Sequence, residues 1–507
     1  MITALILLVA LGILGWGFYR AQPFGKSGIL AWLQSVTLMA PWLLFFGLSA
    51  AGIYLNLAGV LLLLLLSIGL YIGLGRQLRA TAKDEASNQF STVAHSVSST
   101  DDSTDDSADV LPSSEQSNPD AEPSQPKVEA ADATPAVPTI PAEDLQAIQG
   151  IFGIDTFFVT ETIPYQNGAI FKGNLRGDLE ASFDRLSKTL AERMGDRYRL
   201  FLVEGVENKP VIVVLPSAND PKPTTLPQAI LALILALATI ATSLETGGLM
   251  LGFDLFSHLD RVAEAAPISV GILLVLAMHE IGHRLLARRH QIRLSPPFFI
   301  PTWQIGSFGA LTRFESILPN RSVLFDIGFA GPAAGGLVAL GMLILGLLLS
   351  HPGSLFQIPS EFFQGSILVG TLSRVVLGSA LQQPLVDVNP LFIIGWLGLV
   401  ITAINLMPAG QLDGGRIVQA IYGRKIAGRT TVATLIVLGL AALVNPLALY
   451  WAVVILFLQR DLERPALNEL IEPDDARAAL GLLVLFLMAA TLLPLTPSLA
   501  GRLGIGG

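Results

Sequence analysis

Two histidines four residues apart, with a glutamate directly after the first, lie in the stretch AMHEIGHRLLARRHQ (Ala277–Gln291). On a helix, positions i and i+4 share one face, with Cβ atoms about 5–6 Å apart. His279 and His283 can therefore direct two imidazole nitrogens at a single Zn²⁺, each at about 2.0–2.1 Å. Glu280 sits beside that pair without sharing its row. From there its carboxylate can take a proton from water activated by the ion, which is the chemistry of a metal-dependent hydrolase. Composition alone would give this five-residue pattern with a probability of about 0.3%. A helix-end histidine cluster facing lipid headgroups is the bland alternative. It accounts for His290, but His279 and Glu280 lie one to two turns up an apolar helix, where an ionisable group is costly and usually functional.

A catalytic zinc site wants three protein ligands and an open position. The chain has no cysteine, so disulfides and thiolate ligands are excluded and any metal must sit on His, Asp, Glu or backbone oxygen. His95 falls in an acidic stretch, and His258 and His351 fall in loops expected on the far side. Asp413, in AINLMPAGQLDGGR, follows an apolar run that ends on the same side as His279. Pro408, Gly410, Gly414 and Gly415 break the helix around it, freeing backbone groups that must line protein or water rather than lipid. An aspartate before a glycine turn is as often a loop cap, so spacing alone leaves both readings open.

The elements that must position these groups are mostly membrane helices. Of 507 residues, 52% are hydrophobic and 14% charged, with mean hydropathy +0.60. Runs near residues 1–19, 28–50, 54–75, 226–244, 266–287, 326–350, 391–408, 429–443, 445–458 and 477–495 are apolar enough to span a bilayer core of about 30 Å. Ten spans are thus expected, the pair around Asn445-Pro446 being two arms or one kinked helix. GSILVGTLSRVVLGSALQQ, interrupted by Arg374, reads as interfacial. Between 142 and 222 the pattern turns globular. TFFVTE, AIFKG, RYRLFLVE and PVIVVLP read as strands, and DLEASFDRLSKTLAERMG reads as a helix with Leu179, Phe183, Leu186 and Leu190 on one face. The expected fold is a polytopic α-helical membrane protein of about ten spans with a small soluble α+β domain. Its parts are N-terminal membrane helices (1–80), a disordered acidic linker (81–141), the α+β domain (142–222), a helical core (223–460) and a C-terminal helix (461–507).

The net charge of −9 is a local effect: Asp84–Asp144 holds 14 acidic residues against one lysine, so the remainder is net positive. No basic stripe suggests nucleic acid. Arg20, Arg76, Arg79, Arg284, Arg288, Arg289, Arg416 and Arg424 flank the ends that would share one side. By the positive-inside rule the soluble domain and the chemical residues face the cytoplasm or its equivalent. The N-terminus has no basic n-region and no cleavage site, and reads as a retained helix.

HEIGH, followed about 130 residues later by NLMPAGQLDGG, resembles the M50-like site-2 protease family of intramembrane zinc metalloproteases, over about residues 226–460. The resemblance implies that His279, His283 and Asp413 bind zinc and that Glu280 is the general base. It further implies that Asn405 contacts the substrate backbone or the oxyanion; a helix-terminating polar residue is the other reading. FKGNLRGDLE is similar to the GNLRG element of the plant and cyanobacterial subgroup known as ethylene-dependent gravitropism-deficient and yellow-green. Physically it is a glycine-punctuated strand-to-helix turn with Asp178 opening the helix.

Two further stretches shape the site. Pro296, Pro297 and Pro301 forbid a regular helix in IRLSPPFFIPTWQIGSFGALTRFES, whose FFI, WQI and ALTRF fit extended pieces. The family's corresponding region dips into the membrane and pairs with unwound substrate. GFAGPAAGGLVALG (Gly328–Gly341) suits close helix contact, though Ala and Gly stand where the family often has Asn. The expectation is an intramembrane zinc endopeptidase cutting a membrane-protein substrate in a bacterial cell membrane or thylakoid. A transporter or channel, or an inactive protease-like scaffold, is the alternative. A transporter predicts ionisable residues at several depths rather than one. The sequence does not define an oligomeric state.

Overall fold

A computed structural model describes residues 14–50 apart from 16, residues 67, 70, 73–75 and 77, and residues 140–505 apart from 166, 206–208, 303, 304, 444 and 460. The chain divides into two compact units, residues 1–128 and 129–507. In the first, α1 (Gly25–Ala50) covers the expected span at 28–50. The expected spans at 1–19 and 54–75 and the acidic linker lie largely outside the described residues.

The second unit begins with the expected α+β domain. Helix α2 (Ala142–Gln149) precedes β1 (Phe157–Tyr165) and β2 (Gly168–Leu175), then α3 (Leu179–Met194), β3 (Tyr198–Glu204) and β4 (Pro210–Pro216). The strands form one antiparallel sheet in the order β1-β2-β4-β3. Side chains alternate across a strand, and the burial follows: Leu200, Leu202, Ile212 and Val214 are buried, while Phe201, Val203, Val213 and Leu215 are half-buried. The buried set packs with Phe157, Phe171, Leu186, Leu190 and Met194, the last three from α3. The GNLRG turn behaves as its residues suggest. Gly177 takes φ +86°, and the Asp178 carboxylate accepts from the Ala181 N–H at 2.9 Å, capping α3.

The helical core follows, with α4 (Leu226–Met250), α5 (Val262–Arg289), β5 (Phe298–Thr302), β6 (Gly306–Leu311), α6 (Arg321–Leu348), β7 (Phe356–Pro359), α7 (Ile367–Leu377), β8 (Leu385–Val388), α8 (Pro390–Asn405), α9 (Asp413–Ala441), α10 (Pro446–Val454), α11 (Asp475–Leu492) and α12 (Pro497–Leu503). Strands β5 and β6 form an antiparallel hairpin within the proline-rich stretch that was expected to hold extended pieces. Helix α6 is central and packs on α5, α8 and α9. Among the described residues, four helices are long and apolar enough to cross a membrane: Leu226–Met250, Leu259–Arg289, Arg321–Leu348 and Asp475–Leu492.

Several expected spans are built from shorter pieces. The run at 391–408 becomes the 16-residue α8, because Leu406–Leu412 leaves the helix to form a loop. Gly423, at φ +80°, divides α9 into two arms. The pair around Asn445-Pro446 is two helices, α9 ending at Ala441 and α10 starting at Pro446. Glu245, buried on α4, accepts from the Leu255 N–H at 3.0 Å and so ties off the following loop.

Sheet and helical core are joined by the late segment 467–469, which crosses β3. The Leu202 N–H donates to the Leu467 carbonyl at 2.8 Å, and the Glu469 N–H donates to the Leu202 carbonyl at 2.9 Å. The same segment bonds Leu318 and Pro319 in the loop before α6. The edge of the sheet is thereby covered rather than left to pair with another chain.

Helix α2 is held to the sheet by Asp144, whose Oδ2 accepts from the Tyr198 hydroxyl at 2.7 Å and from Arg197 at 3.1 Å. Burial and this bond push the Tyr198 phenol up to about 12, against 10.0 ordinarily. The stability this contributes is complete below pH 10 and is lost as pH rises through 12. Tyr198→Phe is expected to flatten the alkaline limb of the domain's unfolding midpoint between pH 9 and 12, as followed by circular dichroism.

Candidate active site

His279, Glu280 and His283 occupy the last three turns of α5, all buried. Asp413 is the first residue of α9, where the positive end of the helix favours a carboxylate. It reaches α5 because residues 406–412 fold back on themselves. The Gly410 N–H donates to Thr431 Oγ1 at 2.8 Å, and the Gln411 N–H donates to the Gln459 carbonyl at 3.0 Å. Gly414 and Gly415 let the helix start nest on that loop: a Cβ at Gly414 would lie 1.8 Å from the Leu406 carbonyl oxygen. The glycines of LDGG are therefore demanded by close approach.

Three residues converge, each offering a ligand atom. His279 Nε2 lies 3.0 Å from Asp413 Oδ2 and 3.1 Å from His283 Nε2, and His283 Nε2 lies 3.4 Å from Asp413 Oδ1. Bonds of about 2.0–2.1 Å at a tetrahedral angle set ligand atoms about 3.3 Å apart, so the three can share one ion. His283 Nδ1–H donates to the Ile327 carbonyl at 2.7 Å. A carbonyl only accepts, so this bond fixes the tautomer and leaves the Nε2 lone pair for a metal. Among the described residues this is the single group of three or more His, Asp and Glu arranged to hold an ion.

The pair is approached by the small-residue face of α6. A Cβ at Gly331 would lie 2.2 Å from His283 Nε2, and one at Gly335 would lie 2.9 Å from His279 Cβ. On the α5 side, a Cβ at Gly282 would lie 2.3 Å from the Ala330 carbonyl oxygen. The glycines thus open the space in which the imidazoles sit.

The hairpin forms the facing wall. Thr312, directly after β6, donates its hydroxyl to Glu280 Oε2 at 3.0 Å, and its carbonyl accepts from Arg416 Nη2 at 2.6 Å. Buried Arg416 also lies 3.6 Å from Asp413 Oδ1, pairs with Glu463 at 3.2 Å and sits 4.8 Å over the Phe314 ring. Asn405 stands on the opposite rim, its Nδ2 donating to the Phe308 carbonyl at 3.0 Å and to the Ile401 carbonyl at 2.8 Å. Between them lies a cavity of about 10 Å³, enough for a water molecule, lined by His279, Glu280, Phe299, Gly309, Ala310 and Asn405 among others.

Residues 146–222 match the EGY3 middle domain, and residues 267–445 match peptidase family M50. The probable zinc metalloprotease EGY2, chloroplastic, of Arabidopsis thaliana is 41% identical over 350 residues, which is 68% of this chain and 63% of that protein. The probable zinc metalloprotease EGY1, chloroplastic, of the same plant is 39% identical over 399 residues, 70% of this chain and 72% of that protein. The chain belongs to peptidase family M50. The probable zinc metalloprotease EGY3, chloroplastic, of Oryza sativa subsp. indica is 33% identical over 371 residues, covering 68% of this chain and 63% of that protein. This chain thus spans between 63% and 72% of the length of these three M50 relatives. No solved structure matches it.

The structure brings together the five residues singled out from the sequence: His279, His283 and Asp413 form one cluster, and Glu280 and Asn405 line the small cavity beside it with His279. His258 and His351 are exposed in loops, as expected, and His290 pairs with Asp326 at 3.2 Å near the end of α5. Thr312, Gly331 and Gly335 were not singled out, and Arg416, read only as a charge flanking a span end, is buried against the site. Only the small-residue run around the two glycines carried a signal, and it said contact without saying with what.

Gly331→Ala is expected to displace the His283 ring. Purified variant should hold less than about a tenth of the wild-type zinc while its circular dichroism is unchanged; the strain of such an insertion is typically about 1–3 kcal/mol. Metal analysis after dialysis checks this.

Proposed function

We propose that the chain is an intramembrane zinc endopeptidase that cuts a membrane-protein substrate in or near a transmembrane segment. The convergence of His279, His283 and Asp413 at ligand spacing, beside a buried glutamate, carries this reading. The match of that region to family M50 supports it. In this reading His279, His283 and Asp413 hold zinc. Zinc bound there supplies Lewis acidity, which polarises a peptide carbonyl and acidifies water.

The chain's own residues then do the following. The Glu280 carboxylate takes the proton of the attacking water and delivers it to the leaving amine. Thr312 holds Glu280 Oε2, so that one oxygen is fixed and the other is left for the proton. Arg416 lies 3.6 Å from Asp413 Oδ1 and anchors the Thr312 backbone, which couples the metal side of the site to the base. Asn405 keeps β6 against the site through Phe308. When a substrate strand competes for that carbonyl, the Asn405 amide is placed to bond the substrate backbone or the oxyanion. The surrounding apolar side chains limit water to the site.

The remaining assignments follow the same reading. The chain is organised as N-terminal helices (1–80), linker (81–141), α+β domain (142–222), protease core (223–460) and C-terminal helix (461–507). The soluble domain and the active site face the cytoplasmic or equivalent side. The membrane is a thylakoid or a bacterial cell membrane, the first supported by relatives whose names carry the word chloroplastic.

Glu280→Gln is expected to retain about one zinc per chain and lose cleavage of a single-span peptide in reconstituted vesicles by at least about 10³-fold, within the range for general-base loss. Wild-type cleavage by that variant would remove the base assignment. Thr312→Val is expected to lower kcat about tenfold with KM little changed, and Thr312→Ser to restore most of it. A Thr312→Ser enzyme as slow as Thr312→Val would show that the methyl packing, not the hydroxyl, matters.

A further inference from the structure

The sheet of the soluble domain has two faces, and α3 covers one. From the other project Ile170, Phe201, Val203, Val213 and Leu215, all half-buried. They form the floor of a cleft of about 1250 Å³. Its opposite wall is Arg313–Leu318, the segment that leaves β6, and the linker Pro216–Thr225 closes one side. Pockets for small ligands measure about 300–1,000 Å³, so this one is larger than such a ligand needs.

Hydrogen bonds fix the borders of the cleft. On one side Leu202 is bonded to Leu467 and Glu469. On the other, the Thr224 N–H donates to Glu315 Oε1 at 2.8 Å and Arg464 donates to the Asn219 carbonyl at 2.9 Å. These bonds fix the floor and the walls of the cleft to one another.

The cleft also leads to the chemistry. Arg313 and Gln411 line it, and both line a smaller cavity whose other walls include Asp413 and Arg416. The charged lining is balanced, with Asp220, Glu315 and Glu463 against Lys222, Arg313 and Arg464. It therefore selects neither nucleic acid nor an anionic headgroup. The floor side chains come from alternate positions of adjacent strands, spaced about 7 Å along each strand. That spacing meets the side chains at i and i+2 of an extended peptide.

We propose that this cleft holds, in extended form, the segment of a substrate that lies outside the membrane next to its scissile span. The proposal rests on the intramembrane endopeptidase reading and adds a second contact to it. A substrate is gripped by an apolar-alternating stretch on the sheet while its span enters the hairpin. Binding at the sheet contributes to affinity and to the direction of entry; it does not touch the reacting atoms.

The chain has no cysteine, so one introduced thiol carries a polarity-sensitive fluorophore as the sole label. Full-length Glu280→Gln protein in nanodiscs is labelled at Val213→Cys on the floor, at Ala218→Cys on the exposed rim, or at Glu192→Cys on the far side of α3. It is titrated with a synthetic single-span peptide bearing a 12-residue tail of alternating apolar and polar residues, and with the same peptide without the tail. The expected result is a spectral shift at 213 and 218 with the tailed peptide alone and none at 192. Phe201→Ala should weaken the tailed peptide about tenfold, equal to about 1.4 kcal/mol. Equal shifts from both peptides, no shift at either cleft position, or unchanged affinity in Phe201→Ala would overturn the cleft. Cleavage of the same peptides by protein with Glu280 intact is measured in parallel. Cleavage without a cleft shift overturns the cleft alone, whereas a cleft shift with no cleavage overturns the endopeptidase reading alone.

Discussion

The structure turns on bringing a broken backbone to an imidazole pair inside an apolar bundle. Breaking the helix ahead of Asp413 frees peptide groups, and each one left unpaired in an apolar interior would cost several kcal/mol. The loop 406–412 solves this by giving its N–H groups to Thr431 and Gln459 and by restarting a helix at Asp413. The shortness of α8, the glycines of LDGG and the burial of Gln459 all follow from that one arrangement.

The second consequence is that the site is built between elements rather than on one. Helix α5 supplies His279, His283 and Glu280, α9 supplies Asp413 and Arg416, and the hairpin supplies Thr312. Arg416 touches the surroundings of all three through Asp413, Thr312 and Glu463. A buried cation with two anionic neighbours and a carbonyl is satisfied only when every one of them is in place, so the arginine makes assembly of the site cooperative.

What could be read from the sequence follows from range. His279, Glu280 and His283 were legible because i, i+4 geometry is local. The α+β domain was legible because strands of period 2 and the Asp178 cap are local as well, and the extended character of β5 and β6, though not their pairing, was legible because three prolines exclude a helix. Asp413 needed the family resemblance: nothing local separates a ligand from a loop cap 134 residues away. Thr312 and the buried position of Arg416 were not legible, since both depend on which strand lands against which helix. The expected span at 391–408 ran too long because hydropathy does not register that Leu406 and Met407 leave the helix while staying buried.

The clasp between β3 and residues 467–469 has a consequence for biosynthesis. Leu202 leaves the ribosome 267 residues before the Glu469 that completes its pairing. At roughly 5–20 residues per second the strand edge waits on the order of 10–50 s for its partner. During that interval the nascent domain presents an open edge to neighbouring polypeptides. Arrival of the C-terminal portion is what ends the exposure, so a chain arrested before residue 467 would carry a finished sheet with a permanently adhesive border.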